Sequence, residues 1–336
     1  MSNVTTVGID LAKNVFSLHG VDAQGNVLMR RTISRSKLMS FIAQLPPCVI
    51  GMETCSGAHE WARQFRQLGH DPRLMSARFV MPYRKNSKND GNDAEAICEA
   101  VSRPSMRFVP VKSVEQQAIL TLHRVRQGYI EERTGAINRI RGLIAEFGVA
   151  LPQRASEVRR GATASLERLP TLAAGAVRDL LDHLEVLTSR IERYQLELEA
   201  HTRIDPRAQR IQALSGIGAV SASAIVASVS DAREFTSARQ FAAWLGLVPR
   251  QYSTGGKTRL GHITKRGDAY LRTLLILGAR SALRTAEKRA DRLARWAVSI
   301  KQRRGYHRAC VAIAAKNARI IWALLTRNEP LRLTEA

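Results

Sequence analysis

The hydrophobic pattern of the first third of the chain predicts a sheet with two helices. Short apolar runs broken by polar turns are typical of strands, whereas apolar residues spaced three and four apart are typical of helices. The predicted elements are strands at 7–12, 15–21 and 27–33, a helix at 38–45, a strand at 48–53, a helix at 58–68 and a strand at 72–76. The N-terminal third is therefore expected to be an α/β domain.

Four acidic residues accompany these elements. The order β-β-β-α-β-α-β is that of the ribonuclease H fold, in which the first and fourth strands are neighbours, so Asp10 and Glu53 are expected side by side. Asp90 and Asp93 open the next predicted helix, three apart and on one face. Converging carboxylates repel one another unless a cation neutralises them, and hard divalent cations prefer oxygen ligands. We predict that these four residues are catalytic and bind Mg²⁺ or Mn²⁺.

Each acid also has a purely structural interpretation. An Asp after an apolar strand is often a turn residue, Asp90 could be a helix N-cap, and Asp93 could favour the helix dipole. The combination of all four acids on one fold favours the functional interpretation.

The middle of the chain has a helical pattern and is poor in Gly and Pro. Helices are predicted at 114–147 and 177–204, with a polar, basic segment at 152–170 between them. Apolar residues of the second helix recur at alternating spacings of four and three, at Leu180, Leu184, Leu187, Ile191, Tyr194 and Leu198. This spacing predicts a coiled coil that pairs subunits. The alternative is a helical hairpin that folds on itself within one subunit.

A Leu-x-Gly-x-Gly segment at 214–218 has the pattern of a helix-hairpin-helix. Its glycines, Gly216 and Gly218, could expose main-chain N–H groups to a phosphate without reading sequence. Simple helix packing is the alternative. An amphipathic helix at 235–247 follows, and a long basic helical tail ends the chain.

A loop at 249–267 combines hydroxyls, glycines and cations. Ser253 and Thr254 stand directly before Gly255 and Gly256, so a potential nucleophile lies inside a phosphate-binding loop. The cations expected to contact phosphate here, and in the helix that follows, are Arg250, Lys257, Arg259, Lys265, Arg266 and Arg272. A basic loop that only grips the DNA backbone is the alternative interpretation.

The charge of the chain indicates a polyanionic partner. Its 336 residues include 52 Lys and Arg against 29 Asp and Glu, a net charge of +23. Nucleic acid is favoured over a membrane surface, because the basic residues are spread along the whole chain. We find no signal peptide, membrane span or CxxC pair, and expect a cytoplasmic, nucleoid-associated protein without zinc or disulfides.

These motifs together resemble the DEDD transposases of bridge-RNA-guided insertion sequences, relatives of the pilin-gene invertases. The matching segments, in the family's order, are 8–13, 52–54, 90–94, 216–218, 246–250 and 263–267. The resemblance implies a RuvC-like ribonuclease H domain, a coiled coil, and a C-terminal transposase domain whose serine attacks DNA while the four acids hold metal. It also implies a noncoding guide RNA that pairs with donor and target DNA.

One departure from the family concerns the nucleophile. The family serine often stands directly before the glycine, where this chain has Thr254, and Ser253 precedes it. Position therefore favours Thr254. Chemistry favours Ser253, because the additional methyl group of Thr crowds an in-line attack and restricts χ1.

The sequence thus predicts three domains and a recombinase. The domains are a RuvC-like ribonuclease H domain at 1–110, a helical coiled-coil region at 111–205, and a mainly α-helical transposase domain at 206–336. A homodimer or tetramer is expected, because recombination needs at least two strands cut in register. The alternatives are a RuvC-like Holliday-junction endonuclease and a non-catalytic nucleic-acid-binding protein.

Overall fold

The computed structural model describes residues 3–85, 87, 89–327, 329 and 331. The chain divides into two units, 1–113 and 114–336, each with its own apolar core. The boundary lies three residues beyond the first predicted domain boundary. The further division at 205 stays a prediction.

The described residues of the first unit form a six-stranded sheet of order β3-β2-β1-β4-β5-β6. The strands are β1 (Thr6–Asp10), β2 (Val15–Val21), β3 (Val27–Ser34), β4 (Val49–Glu53), β5 (Asp71–Met75) and β6 (Phe108–Val109). The first three strands are antiparallel, and β1 is the neighbour of β4, as predicted; the pairing of β1 with β4 is parallel. This mixed sheet is consistent with a ribonuclease H-like domain. Strand β6 was not predicted, because two residues are too few to show a period.

Helices cover the sheet of the first unit. They are α1 (Leu38–Ile42), α2 (Ala58–Gln67), α3 (Ala77–Val80) and α4 (Asp90–Val101). Helix α4 lies against β1 at Gly8, where a Cβ atom would be 2.3 Å from the carbonyl oxygen of Ala94. Only glycine permits this approach, which brings the N-terminal half of α4 to the strand that ends at Asp10.

The second unit is mainly helical. Its helices are α5 (Val114–Ala145), α6 (Ala155–Ser165), α7 (Thr171–Ile204), α8 (Pro206–Gln212), α9 (Ala219–Ser228), α10 (Ala238–Trp244), α11 (Ala269–Thr285), α12 (Arg292–Arg304) and α13 (Tyr306–Arg327). Two short strands, β7 (Pro249–Gln251) and β8 (Leu260–Ile263), pair in antiparallel between α10 and α11. The predicted helix at 235–247 is shorter in the structure, because Ser237 caps it and accepts a hydrogen bond from the N–H of Gln240.

Helices α5 and α7 pack against each other in antiparallel within one chain. Arg126 donates to Gln195 at 2.9 Å, and the rings of Tyr129 and Tyr194 lie 5.9 Å apart. Most of the predicted apolar seam of α7 is buried, at Leu184, Leu187, Ile191 and Leu198. The structure therefore contains the helical hairpin that was the alternative to a coiled coil between subunits.

Helix α13 forms part of the core of the second unit. Among the described residues it is the helix whose length and apolar composition would allow a membrane crossing. Its buried residues pack in the apolar core of the unit, and its buried Asn317 donates to the carbonyl of Ser215 at 3.1 Å.

Gly216 and Gly278 are packed directly against each other. A Cβ atom on Gly278, inside α11, would lie 1.8 Å from the carbonyl oxygen of Gly216. Gly216 itself has φ +86°, a conformation that disfavours other residues. The predicted hairpin at 214–218 is thus held against α11 by two facing glycines.

We expect Gly278→Ala to lower the free energy of unfolding by about 3 kcal/mol, because the new methyl group overlaps main-chain atoms. The matched control is Gly175→Ala in α7, where no atom lies within 4 Å of the new methyl group. The control is expected to raise stability by about 0.5–1 kcal/mol through the better helix propensity of Ala. Urea denaturation followed by tryptophan fluorescence measures both. Equal effects of the two substitutions would contradict the packing explanation.

Candidate active site

Asp10 and Glu53 lie at the same edge of the sheet, on neighbouring strands. Asp10 ends β1 and Glu53 ends β4, and the parallel register pairs the residues just before them, Ile9 and Met52. Both acids are half-buried. The two predicted acids are therefore brought together by the strand order.

The thiol of Cys55 lies within the electrostatic influence of both acids. Burial raises the pKa of Cys55, and the negative charges of Asp10 and Glu53 raise it further. Cys55 therefore stays a neutral thiol near neutral pH.

The other two acids lie in the first turn of α4. Asn89 is the N-cap and accepts from the N–H of Asn92 at 2.8 Å, so Asp90 is not the capping residue. Asp90 is exposed, whereas Asp93 is half-buried and its Oδ1 lies 3.3 Å from Nη1 of Arg84. Within the described residues, no three His, Cys, Asp or Glu side chains are grouped closely enough to hold a metal ion.

Arg84 is a residue of this region that the sequence did not indicate. It lies in a connection without periodicity, and only the folded chain shows its ion pair with Asp93. Because the pair is largely withdrawn from solvent, it compensates the charge of Asp93 while no cation is bound.

The hydroxyl-bearing loop is the tip of the β7–β8 hairpin. Gly255 and Gly256 have φ of +55° and +77°, and the N–H of Lys257 donates to the carbonyl of Thr254 at 3.1 Å. Tight hairpin turns with two positive φ angles favour Gly-Gly, Asn-Gly or Asp-Gly at the central positions. The glycine pair therefore forms the turn, and the hydroxyls of Ser253 and Thr254 stand at its start, exposed to solvent.

Ser253 and Thr254 differ in their hydrogen bonds. Oγ of Ser253 accepts from Nε2 of Gln251 at 2.9 Å and from the main-chain N–H of Arg259 at 3.3 Å. Thr254 participates in the turn through its carbonyl. Donors that point at an oxygen stabilise negative charge on it, so the hairpin favours an oxyanion at Ser253 over one at Thr254.

The predicted phosphate contacts surround the hairpin. The exposed cations are Arg250, Lys257, Arg259, Lys265 and Arg266. Arg272 instead donates to the carbonyls of Leu245 at 3.2 Å and Gly267 at 3.4 Å, so it fixes the base of the hairpin. Lys257 and Arg259 therefore belong to the tip of the hairpin with the two hydroxyls, whereas Lys265 and Arg266 lie at its base, beside Gly246.

Comparison with known proteins identifies the family. Residues 208–295 match the model described as "Transposase IS116/IS110/IS902 family", and residues 7–148 match the IS110 DEDD model, described as "Transposase". A probable family 20 transposase of Pseudomonas aeruginosa is 51% identical over 97% of this chain and 98% of its own length. The chain belongs to the IS110/IS116/IS902 transposase family. It is an enzyme that cleaves and transfers DNA strands.

Further relatives are similar over more than nine-tenths of their length. The transposase for insertion sequence element IS1328 of Yersinia enterocolitica is 43% identical over 98% of both chains. The transposase for element IS1111A of Coxiella burnetii is 42% identical over 99% of this chain and 92% of its own. The similarity therefore spans both units of the transposase.

The two glycines of the predicted helix-hairpin-helix have different environments in the transposase. Gly216 packs on α11, as described above. Gly218 precedes α9, and a Cβ atom there would meet nothing within 4 Å. Packing explains Gly216, and a phosphate contact stays a prediction for Gly218.

A buried histidine connects three helices of the second unit, and sequence reasoning missed it. Nδ1 of His123 in α5 lies 3.0 Å from the hydroxyl of Tyr270 in α11, and Nε2 lies 3.1 Å from Oγ of Ser223 in α9. Burial, with the positive charges of Arg126 and His201, lowers the pKa of His123 to about 4. A lone His in a helical pattern gives no signal of such a network.

The network predicts a loss of stability in acid. His123 is neutral when folded and has an ordinary pKa of 6.5 when unfolded, so the unfolded chain binds more protons between these values. The contribution of His123 to the free energy of unfolding is complete above about pH 6.5. It falls by about 1.4 kcal/mol per pH unit as the pH decreases towards 4. Denaturation of the wild type and of His123→Gln, which cannot titrate, measures the difference. Equal pH slopes for the two proteins would exclude this role.

Proposed function

We propose that this transposase cuts DNA with the hydroxyl of Ser253 as nucleophile and with its four acidic residues holding a divalent cation. The main support is the pair of donors on Oγ of Ser253, in a hairpin whose exposed residues include Arg250, Lys257 and Arg259. Thr254 is the second candidate nucleophile. Its position before Gly255 matches the family serine, but its hydroxyl has no comparable pair of donors among the described residues.

The chemistry of the acids fits Mg²⁺ or Mn²⁺. Asp10 and Glu53 supply carboxylates from adjacent strands, Asp90 and Asp93 supply two more from one helical turn, and such oxygen donors suit hard cations. Arg84 compensates Asp93 in this structure and would release it on metal binding. When bound, the cation would stabilise negative charge on the phosphate and on the leaving oxygen.

The proposed cleavage is a transfer of the phosphodiester from a deoxyribose oxygen to Ser253. Oγ of Ser253 forms a bond to phosphorus, the bond from phosphorus to a deoxyribose oxygen breaks, the serine proton passes to water, and the leaving oxygen takes up a proton. Arg250, Lys257 and Arg259 stabilise the charge that develops on the phosphate. The second half of the exchange is the reverse attack by a deoxyribose hydroxyl on the serine–phosphate bond.

Nucleic acids and a second subunit are the proposed partners. The net charge of +23 suits donor and target DNA, and the resemblance to bridge-RNA-guided elements supports a noncoding guide RNA. A dimer or tetramer is proposed because recombination needs at least two strands cut in register, and one chain carries one hydroxyl-bearing loop and one set of acids. We expect light scattering to give an even multiple of the monomer mass with nucleic acid.

A trapping experiment tests the mechanism against the junction-endonuclease alternative. Nicked element-end DNA is incubated with the transposase and Mg²⁺, with and without RNA transcribed from the noncoding end of the element. The serine mechanism predicts a covalent protein–DNA adduct that survives a denaturing gel and requires Mg²⁺. Metal-dependent cleavage without an adduct would favour hydrolysis. Binding without cleavage would favour the non-catalytic alternative.

A further inference from the structure

A cavity of about 550 Å³ with several hydrogen-bond donors in its lining lies in the first unit, at the end of the sheet where Asp10 and Glu53 stand. The strand pairings place the cavity at this end of the sheet. Asp10, at the end of β1, pairs with Ser17 of β2. Two residues before Ser17, Val15 pairs with Ser34 of β3, which lines the cavity. The residues that matter to its chemistry are Asn14, Ser34, Arg35, Ser36, Gly57 and Trp61. None of them is an acid of the candidate active site.

Arg35 is held in place but retains free donors. Its main-chain N–H donates to the carbonyl of Asn14 at 2.8 Å, and Nη1 lies 3.5 Å from the carbonyl oxygen of Lys13. The guanidinium stacks at 5.2 Å from the ring centre of Trp61 and 5.8 Å from that of Phe16. Within the described residues, a carbonyl engages only one of its five donors, so this oriented fork is available to an anion.

The indole N–H of Trp61 is a second donor in the cavity. Trp61 is only 8% exposed, and its Nε1 lies 3.9 Å from where a Cβ atom of Gly57 would be. No described residue accepts a hydrogen bond from this N–H, whereas the indole of Trp322 donates to the carbonyl of Ala232 at 2.9 Å. The N–H of Trp61 can therefore donate to a group that enters the cavity.

The remaining lining groups also suit an anion. The hydroxyls of Ser34 and Ser36 lie 3.4 Å apart, and α2 begins after Gly57 without a side-chain cap. Glu60 also lines the cavity, and its side chain carries a negative charge. Hydrogen bonds from Arg63 and Gln64 hold the pKa of Glu60 below its usual value, so its charge is already compensated.

We propose that this cavity binds a phosphodiester group of a nucleic-acid strand that passes the acidic edge of the sheet. The donors are a guanidinium, an indole N–H, two hydroxyls and the start of a helix, and phosphate oxygens accept from all of them. The proposal rests on the proposed nucleic-acid function and adds to it a site that holds backbone rather than cuts it. DNA and guide RNA share this chemistry.

Fluorine NMR of the full chain labelled with 5-fluorotryptophan tests the site. The chain has 4 Trp residues, and Trp61→Phe assigns the resonance of Trp61. The probes are the dinucleotides TpT and UpU and the uncharged methylphosphonate analogue of TpT, all without divalent metal. We expect a saturable shift of the Trp61 resonance with a charged probe and none with the neutral one. Tighter binding of TpT would indicate a site for DNA, and tighter binding of UpU would indicate a site for RNA.

Arg35→Gln is expected to weaken probe binding about tenfold, because a charge-assisted hydrogen bond is lost. The matched control is Arg66→Gln, an exposed arginine of α2 that does not line the cavity. The assay contains no divalent metal and measures binding alone, so failure of the catalytic mechanism would leave this result unchanged. No shift with either charged probe, an equal shift with the neutral probe, or equal effects of the two arginine variants would overturn the proposal.

Discussion

Asp10→Asn is expected to reduce recombination of a mini-element by about 10³-fold. The asparagine keeps the size of the side chain but removes the negative charge beside Glu53 that a divalent cation requires. An amide is also a weaker ligand of a hard cation. Counting recombined plasmids carrying the mini-element measures the loss.

Asp71→Asn is the matched control for this prediction. Asp71 is an exposed aspartate at the start of β5. Glu53 is at the end of β4, which runs parallel to β5, so the two acids lie at opposite ends of the strands. Its salt bridge with Arg73 is a surface pair, whose loss costs little. Near wild-type recombination is therefore expected for Asp71→Asn. Wild-type recombination by Asp10→Asn would contradict the catalytic role of the acids.

Ser253→Ala is expected to abolish the covalent protein–DNA adduct and to lower recombination by at least about 10³-fold, since the reaction loses its nucleophile. Ser253 is exposed in the hairpin and fills no part of the core. The substitution therefore leaves the fold intact, and circular dichroism should be unchanged. Adduct formation on phosphate-labelled nicked DNA is the measurement.

Thr254→Val separates the two candidate nucleophiles. Valine keeps the β-branched shape of threonine and the turn carbonyl that accepts from Lys257, but it lacks the hydroxyl. Adduct formation close to the wild-type level is expected. Adduct formation by Ser253→Ala but not by Thr254→Val would assign the nucleophile to Thr254. Adducts in both variants would mean that the hairpin only grips phosphate.

Local sequence patterns predicted much of the first unit. The strands and helix α2 follow from apolar periods and from Gly and Pro signals, which act over a few residues, whereas the neighbouring of β1 and β4 was inferred from the element order of the ribonuclease H fold. The positions of Asp10 and Glu53 on neighbouring strands follow from that order. The β7–β8 hairpin was missed, because its strands are short and mostly exposed and so show no alternation.

The sequence by itself determined the types of elements, the set of acids and the hydroxyl-bearing loop. The tertiary structure alone decided that α5 and α7 pair within one chain, and that Arg84 compensates Asp93. It also decided that Gly216 packs on Gly278. Periodicity states which face of a helix is apolar but not which partner covers it. Contacts between residues far apart in the chain depend on that choice of partner, so they appear only when the chain is folded.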